Sequence, residues 1–204
     1  MTESLVVHVV DDEASVRDSL RWLLESVGLR VCTHADGEAF LAEYRPQTCG
    51  CVLLDIRMPG LSGIEVLERM AQDGRRVPVI VFTGHADVPL AVRAMRLGAF
   101  DFIEKPYSDS LLLERVQRAL SMRRETRDRE VALEETRRAY ERLSARERQV
   151  LAGVLQGRPN KLIADDLSLS IKTIEVHRAN LMQKMGAHSL ADLIRRVVQA
   201  GIEP

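Results

Sequence analysis

A chain of 204 residues, 46% of them hydrophobic, has material for one large domain or two small ones with real cores, and no apolar run approaches the roughly 20 residues that span a bilayer. The N-terminus shows no basic stretch followed by an apolar one, so no secretory leader is read and a cytoplasmic location is expected. The net charge of −1 hides an asymmetry: residues 1–120 carry 13 Lys+Arg against 18 Asp+Glu, 121–142 carry 7 against 6, and 143–204 carry 9 against 6, so an acidic front suited to a cation precedes a mildly basic tail that permits nucleic-acid contact.

Strand and helix signals alternate through the first 120 residues. Short apolar runs at 5–10, 29–33, 51–54, 77–82 and 100–103 predict strands, and amphipathic stretches at 14–27, 37–44, 63–72, 87–97 and 108–120 predict helices. In the first helix Val16, Leu20, Leu23, Leu24 and Val27 recur at helical spacing. Short apolar strands alternating with helices belong to a parallel sheet covered on both faces. Five such units predict a flavodoxin-like, doubly wound α/β domain over 1–120. Cys32, Cys49 and Cys51 have no metal-site spacing and read as small buried residues in a reducing compartment.

Residues 121–142 are dense in paired opposite charges and contain neither Pro nor Gly. They predict a solvated helical linker that continues the fifth helix. Leu133, Thr136, Tyr140 and Leu143 have heptad-like spacing, but the stripe lapses over 121–130, which disfavours a coiled coil. From 143 onward only helices are signalled. Ser144 and Glu147 form a capping box for 145–156, with Gly157 as the stop. Asn160 is placed to cap 161–167, Ser170 to cap 171–185 before Gly186, and Ser189 to cap 190–200 before Gly201. Four short helices make an all-α bundle, and the tight Ser168-Leu169-Ser170 turn suits a helix-turn-helix.

The chemistry sits at strand ends. Asp11 and Asp12 follow the first apolar run, Asp55 the third, Thr83 the fourth, and Lys105 comes just after the fifth. Parallel strands gather these ends at one edge, where ligands bind. Convergent carboxylates form a hard oxygen site suited to Mg²⁺. A carboxylate nucleophile needs the charge of an incoming phosphoryl group neutralised, and a metal, an ammonium and a hydroxyl together supply that. Taken singly the residues read more plainly: the acidic pair as a helix N-cap, Asp55 and Thr83 as turn and cap residues, Lys105 as surface and Phe102 as core.

The stretches VVDDE (9–13), LLDIRMPGLSG (53–63), VFTGHADV (81–88) and FDFIEKPY (100–107) resemble the receiver domain of response regulators. The resemblance implies Asp55 as phosphoacceptor and Asp11, Asp12, Asp55 and the Arg57 carbonyl as the site of Mg²⁺, with Mn²⁺ an alternative. It implies Thr83 as the switch hydroxyl, Lys105 as the lysine that contacts phosphoryl oxygens, Phe102 as the switch aromatic, and a cis Lys105–Pro106 bond. Gly84 would leave the site open to a phosphohistidine donor, and His85 reads as a loop histidine rather than a base. Ser15, Arg17, Asp18 and Leu20 of the first helix are expected to meet a sensor histidine kinase.

The stretches LSARERQVL (143–151), GRPNKLIADDLSLSIKTIEVHRANLMQKMG (157–186) and SLADLI (189–194) resemble the LuxR/NarL helix-turn-helix domain, and the whole chain resembles the FixJ branch. In 171–185, Ile174, Leu181 and Met185 are spaced to face the bundle, while other faces carry Lys172, Thr173, Glu175, Val176, His177, Arg178 and Asn180. Base reading is expected from Glu175, Val176 and Ala179, with Arg178 or Asn180. Lys161, Thr173, His177 and Arg178 suit phosphate contacts. Leu190, Leu193, Ile194 and Val197 read as core, although the resemblance implies that part of this helix makes a dimer contact on DNA. The expected partners are a sensor kinase, double-stranded DNA, a second copy after phosphorylation through a surface including Ala91, Val92 and Met95, and RNA polymerase; no membrane is expected. The rival class is an aspartyl-phosphate hydrolase, disfavoured because Arg57 stands where a second catalytic carboxylate would be needed.

Overall fold

The computed structural model describes residues 5–75, 77–84 and 88–203, which form two compact units, Met1–Thr126 and Arg127–Pro204. In the first, strands β1 (Val6–Val10), β2 (Arg30–His34), β3 (Cys49–Asp55), β4 (Val79–Thr83) and β5 (Asp101–Glu104) pair in parallel in the order β2-β1-β3-β4-β5. Helices α1 (Ala14–Ser26), α2 (Gly37–Glu43), α3 (Gly63–Gln72), α4 (Val88–Arg96) and α5 (Asp109–Glu141) connect or follow them. The strand order reverses between β1 and β3, which defines the edge where a doubly wound sheet binds ligands.

Alternation along the strands divides the core into two layers. Val10, Leu54 and Val81 pack with Phe40, Val66, Met70 and Ala94 of α2, α3 and α4. Val7, Val9, Leu53, Ile80 and Phe82 pack on the other face with Leu20 and Leu24 of α1 and Leu112, Val116 and Leu120 of α5. Leu20 is only 3% exposed, so it serves this core and is not available to a kinase.

The charged stretch 121–142 continues α5 and is mostly exposed, with Arg123 and Thr136 as its two buried residues. Arg123 is buried and donates to the carbonyls of Pro46 and Cys49 in the first unit. Thr136 is buried, and Ala139 and Tyr140 pack on the core of the second unit. The boundary between the two units falls within this stretch, after Thr126.

The second unit adds α6 (Ala145–Leu155), α7 (Asn160–Leu167), α8 (Ile171–Lys184) and α9 (Leu190–Gln199). Leu143, Leu151, Ile163, Ile174, Leu181, Leu193 and Val197 make its core. The Ser144–Glu147 capping box opens α6, and Ser170 and Ser189 cap α8 and α9. Asn160 does not cap α7. It is the first helical residue, after Pro159, and its side chain serves another purpose described below. Ser168, at φ 55°, turns the chain between α7 and α8. No described helix is long and apolar enough to cross a membrane.

Candidate functional site

β1 and β3 run side by side with Val10 paired to Leu54, so Asp11 and Asp55 emerge as neighbours at the C-terminal edge of the sheet. Lys105, just beyond β5, reaches across that edge. Its ammonium donates to Asp11 Oδ2 at 2.9 Å and to Asp55 Oδ1 at 3.0 Å, and lies 4.4 Å from the centroid of the Phe82 ring. Asp11 and Asp55 are 1% and 5% exposed. Carboxylates this deep are tolerable because a cation lies between them and their other oxygens are bonded. Asp11 Oδ1 accepts from the Glu13 N–H at 2.8 Å, and Asp55 Oδ2 accepts from the Arg57 N–H at 2.7 Å.

Burial pushes the Asp55 carboxyl above its ordinary range, against the pull of Lys105 and the Arg57 N–H. Burial also works to lower Lys105, but its hydrogen bonds to Asp11 and Asp55 outweigh that and leave its pKa above the ordinary lysine value. The result is a permanent ammonium beside a poorly solvated carboxylate whose plane is held at both oxygens.

Asp12 stands apart from this cluster. It is exposed and lines a shallow groove with Asp36, Glu38, Pro59 and Gly60. The Asp11 and Asp55 carboxylates meet at Lys105, and Asp12 is more exposed than either. The carboxylate oxygens of Asp11 and Asp55 gathered at this edge are hard donors that suit Mg²⁺ or Mn²⁺.

Thr83 closes β4, is 1% exposed, and accepts from the Lys105 N–H at 2.8 Å through its carbonyl. Phe82 pairs with Asp55, so Thr83 lies one residue beyond the acid on the adjacent strand. Phe102 pairs with Val81 and is half-buried against the layer under α2, α3 and α4. The Lys105–Pro106 bond is cis. An added Cβ at Gly84 would meet no atom within 4 Å, so packing does not demand glycine there. His85 lies outside the described residues.

Two residues important to the site were not read as such from the sequence. A Cβ on Gly63 would lie 2.1 Å from the Asp55 carbonyl oxygen, so only glycine lets α3 start this close to the acid. The signal was present in the LSG that follows MPG, with Ser62 capping α3. Arg17 donates to the carbonyls of Asp11 and Asp12 at 2.7 and 2.8 Å and holds the acidic loop.

In the tail, Ile174, Leu181 and Met185 are buried, which leaves Lys172, Glu175, Val176, Ala179 and Asn180 exposed on α8. Lys161 is exposed on α7, and His177 is half-buried. Thr173 and Arg178, assigned to phosphate contacts, are half-buried and already engaged. The Thr173 hydroxyl shares a hydrogen bond with the Ser170 hydroxyl at 2.8 Å, and Arg178 donates to Asn160 Oδ1 at 2.6 Å. That second bond ties α8 to α7. Lys184 donates to the buried Glu147 at 2.7 Å. Burial would raise Glu147, but Lys184 and the Ser144 groups outweigh it and hold its pKa below the usual carboxylate value.

Residues 7–117 match the family model of the response regulator receiver domain, and residues 141–197 match that of the bacterial regulatory proteins of the luxR family. The chain is 48% identical, over all of its own length and 97% of the relative's, to the transcriptional regulatory protein FixJ of Azorhizobium caulinodans. It is similar to the solved response regulator StyR, with a TM-score of 0.86 at 39% identity, covering 96% of this chain and 99% of that one. Against full-length FixJ from B. japonicum the TM-score is 0.58 at 43% identity, with both chains covered completely.

Proposed function

The chain belongs to the two-component response regulators that join a receiver to a LuxR-type helix-turn-helix, and from that premise we propose that a sensor histidine kinase phosphorylates Asp55, that the receiver then dimerises, and that the dimer binds double-stranded DNA through α8 to regulate transcription. In this reading 1–120 is the receiver, 121–142 the connecting helix and 143–204 the DNA-binding domain. RNA polymerase is the further partner, and the cytoplasm the place of action.

The observation that carries the proposal is the Lys105 ammonium held between Asp11 and Asp55, with the second Asp55 oxygen fixed by the Arg57 N–H. An Asp55 oxygen attacks the phosphorus of the donor's phosphohistidine. The P–O bond forms as the P–N bond breaks, and the departing imidazole keeps the electron pair and takes a proton from solvent. Lys105 leaves its ion pair with Asp55 and follows the new charge onto the phosphoryl oxygens. Mg²⁺, held by Asp11, Asp12, Asp55 and the Arg57 carbonyl, supplies further neutralisation when bound. Thr83 donates to a phosphoryl oxygen, which draws its loop inward, and Phe102 turns into the space released.

These movements reshape the surface of α4, β5 and α5, where Val92 and Met95 are exposed, and favour the dimer. The shift requires a few kcal/mol of difference between the states. Water returns the receiver slowly to its starting state, which is its sole turnover.

The test is the intact mass of the full chain after incubation with a small acyl phosphate. Wild type should gain one phosphoryl group only with Mg²⁺, and Asp55→Asn should gain none. Equal labelling of both proteins would overturn the assignment.

A further inference from the structure

A second cluster of ligating side chains lies at the β2 edge of the sheet. His8 on β1 pairs with Cys32 on β2, and His34 follows two residues later on the same strand, so the three share one face. Both histidine rings pack edge-on against Phe40 of α2. Ligand atoms of all three lie within 4.8 Å of one another, and no other such group occurs among the described residues. His8 Nδ1 and His34 Nε2 face each other at 2.9 Å, while His34 Nδ1 faces Glu43 Oε2 at 3.7 Å.

We propose that His8, Cys32 and His34 bind a borderline-soft divalent transition ion of the Zn²⁺ class, with Glu43 as the outer carboxylate that orients His34. Two imidazole nitrogens and a thiolate select such an ion over Mg²⁺, which prefers oxygen. Three protein ligands leave a fourth tetrahedral position for water or a small ligand. Cys32 is half-exposed and gives the ion its way in. Glu43 Oε2, 3.7 Å from His34 Nδ1, would accept from Nδ1–H on closing that gap and so present the His34 Nε2 lone pair to the metal.

The ligands are in suitable states. Burial, and then the neighbouring His34, hold His8 down to about 4, and burial lowers His34 too, so both rings are neutral near pH 7. Burial and Glu43 raise the Cys32 thiol, so its proton passes to solvent as the metal–sulfur bond forms. Nitrogens bound to one tetrahedral Zn²⁺ stand about 3.3 Å apart, so the rings need part by only a few tenths of an ångström. Cys49 does not compete, being fully buried with its thiol pushed up to about 12. The site is chemically separate from the acidic one, although the His34 carbonyl accepts from the Asp11 N–H.

The test is Co²⁺ titration of the chelator-stripped full chain in excess Mg²⁺, followed by absorbance. We expect one equivalent to bind with tetrahedral d–d bands and a thiolate-to-cobalt charge-transfer band, and Zn²⁺ to displace it. Cys32→Ser should lose the charge-transfer band. Glu43→Gln, at an exposed position, should keep the band and weaken binding about ten-fold. Asp55→Asn should leave the titration unchanged, which separates this site from the phosphorylation reading. Overturning results are a missing charge-transfer band in wild type, its survival in Cys32→Ser, unweakened binding in Glu43→Gln, its loss in Asp55→Asn, or its displacement by Mg²⁺.

Discussion

The two units carry their working side chains in opposite ways. In Met1–Thr126 the proposed chemistry lies where buried strands end, on Asp11, Asp55 and Thr83, each almost wholly buried. In Arg127–Pro204 the side chains proposed to meet DNA stand on the outward face of α8, whose inward face is core. A buried charge is held by the fold and also burdens it, because its neutralisation is part of the folding balance. An exposed reader contributes little to stability. Substitutions in the receiver site should therefore move chemistry and stability together, and those on the outer face of α8 should move binding alone.

The largest separation is expected within α8 itself. Ile174→Ala should cost about 2–5 kcal/mol of unfolding free energy, because Ile174 is 0% exposed in the core. Val176→Ala, two residues on and 53% exposed, should stay within about 0.5 kcal/mol of wild type in the same denaturant titration while weakening specific DNA binding. A large stability loss at Val176 would erase the distinction between the faces.

Lys105→Met is the corresponding test of the receiver. It leaves Asp11 and Asp55 buried without their shared cation, and should destabilise the protein at neutral pH by about 2 kcal/mol, a figure reduced to allow for the partial exposure of Lys105. Adding Asp55→Asn should recover part of that loss. Failure to recover any would mean that the two carboxylates do not strain the fold. Ser144→Ala, which removes the N-cap of α6, should cost about 1 kcal/mol and reduce hydrogen-exchange protection in the second unit first.

The smallest contrast is in the response to acid. His8 is lowered from 6.5 to about 4, and His34 is lowered too, chiefly by burial. Groups held below their unfolded pKa contribute stability that is present above the unfolded value and lost as pH falls. The first unit should begin to weaken below about 6.5 and continue to weaken towards 4. Asp55 acts the other way, since its raised pKa adds stability as it takes up a proton. In the second unit the lowered groups are Asp192 and Glu147, both carboxylates, so its loss begins only in the carboxylate range. Hydrogen exchange resolved over the two units should show the first losing protection at the higher pH; the reverse order would contradict these assignments.

Most of the fold was legible because burial writes itself into sequence as unbroken apolar runs. The runs at 51–54 and 77–82 became β3 and β4, and the acids and lysine beyond the strands fell on one edge because parallel pairing aligns strand ends. What escaped notice depends on long-range contacts that no local pattern encodes. β3 starts two residues early, at Cys49, because Gly50 admits Leu5 and Leu120, where a Cβ would lie 2.8 and 2.6 Å from their side chains. Arg123 resembles a solvated linker residue until the Pro46 and Cys49 carbonyls are seen beside it. Asn160 carries a cap signature, yet Arg178 claims its side chain across the turn. The His8–Cys32–His34 group emerges only when β1 and β2 pair in register.

The claim that phosphorylation at the buried site governs the exposed one comes down to a single comparison: the affinity of the full chain for DNA selected by the phosphorylated protein, at fixed salt and in Mg²⁺, with and without a small phosphodonor, for wild type and Asp55→Asn. Wild type should bind on the order of ten-fold more tightly with the donor, and Asp55→Asn should not respond. An equal response from both proteins, or none from wild type that carries the phosphoryl group, would show that Asp55 does not control the DNA-binding unit.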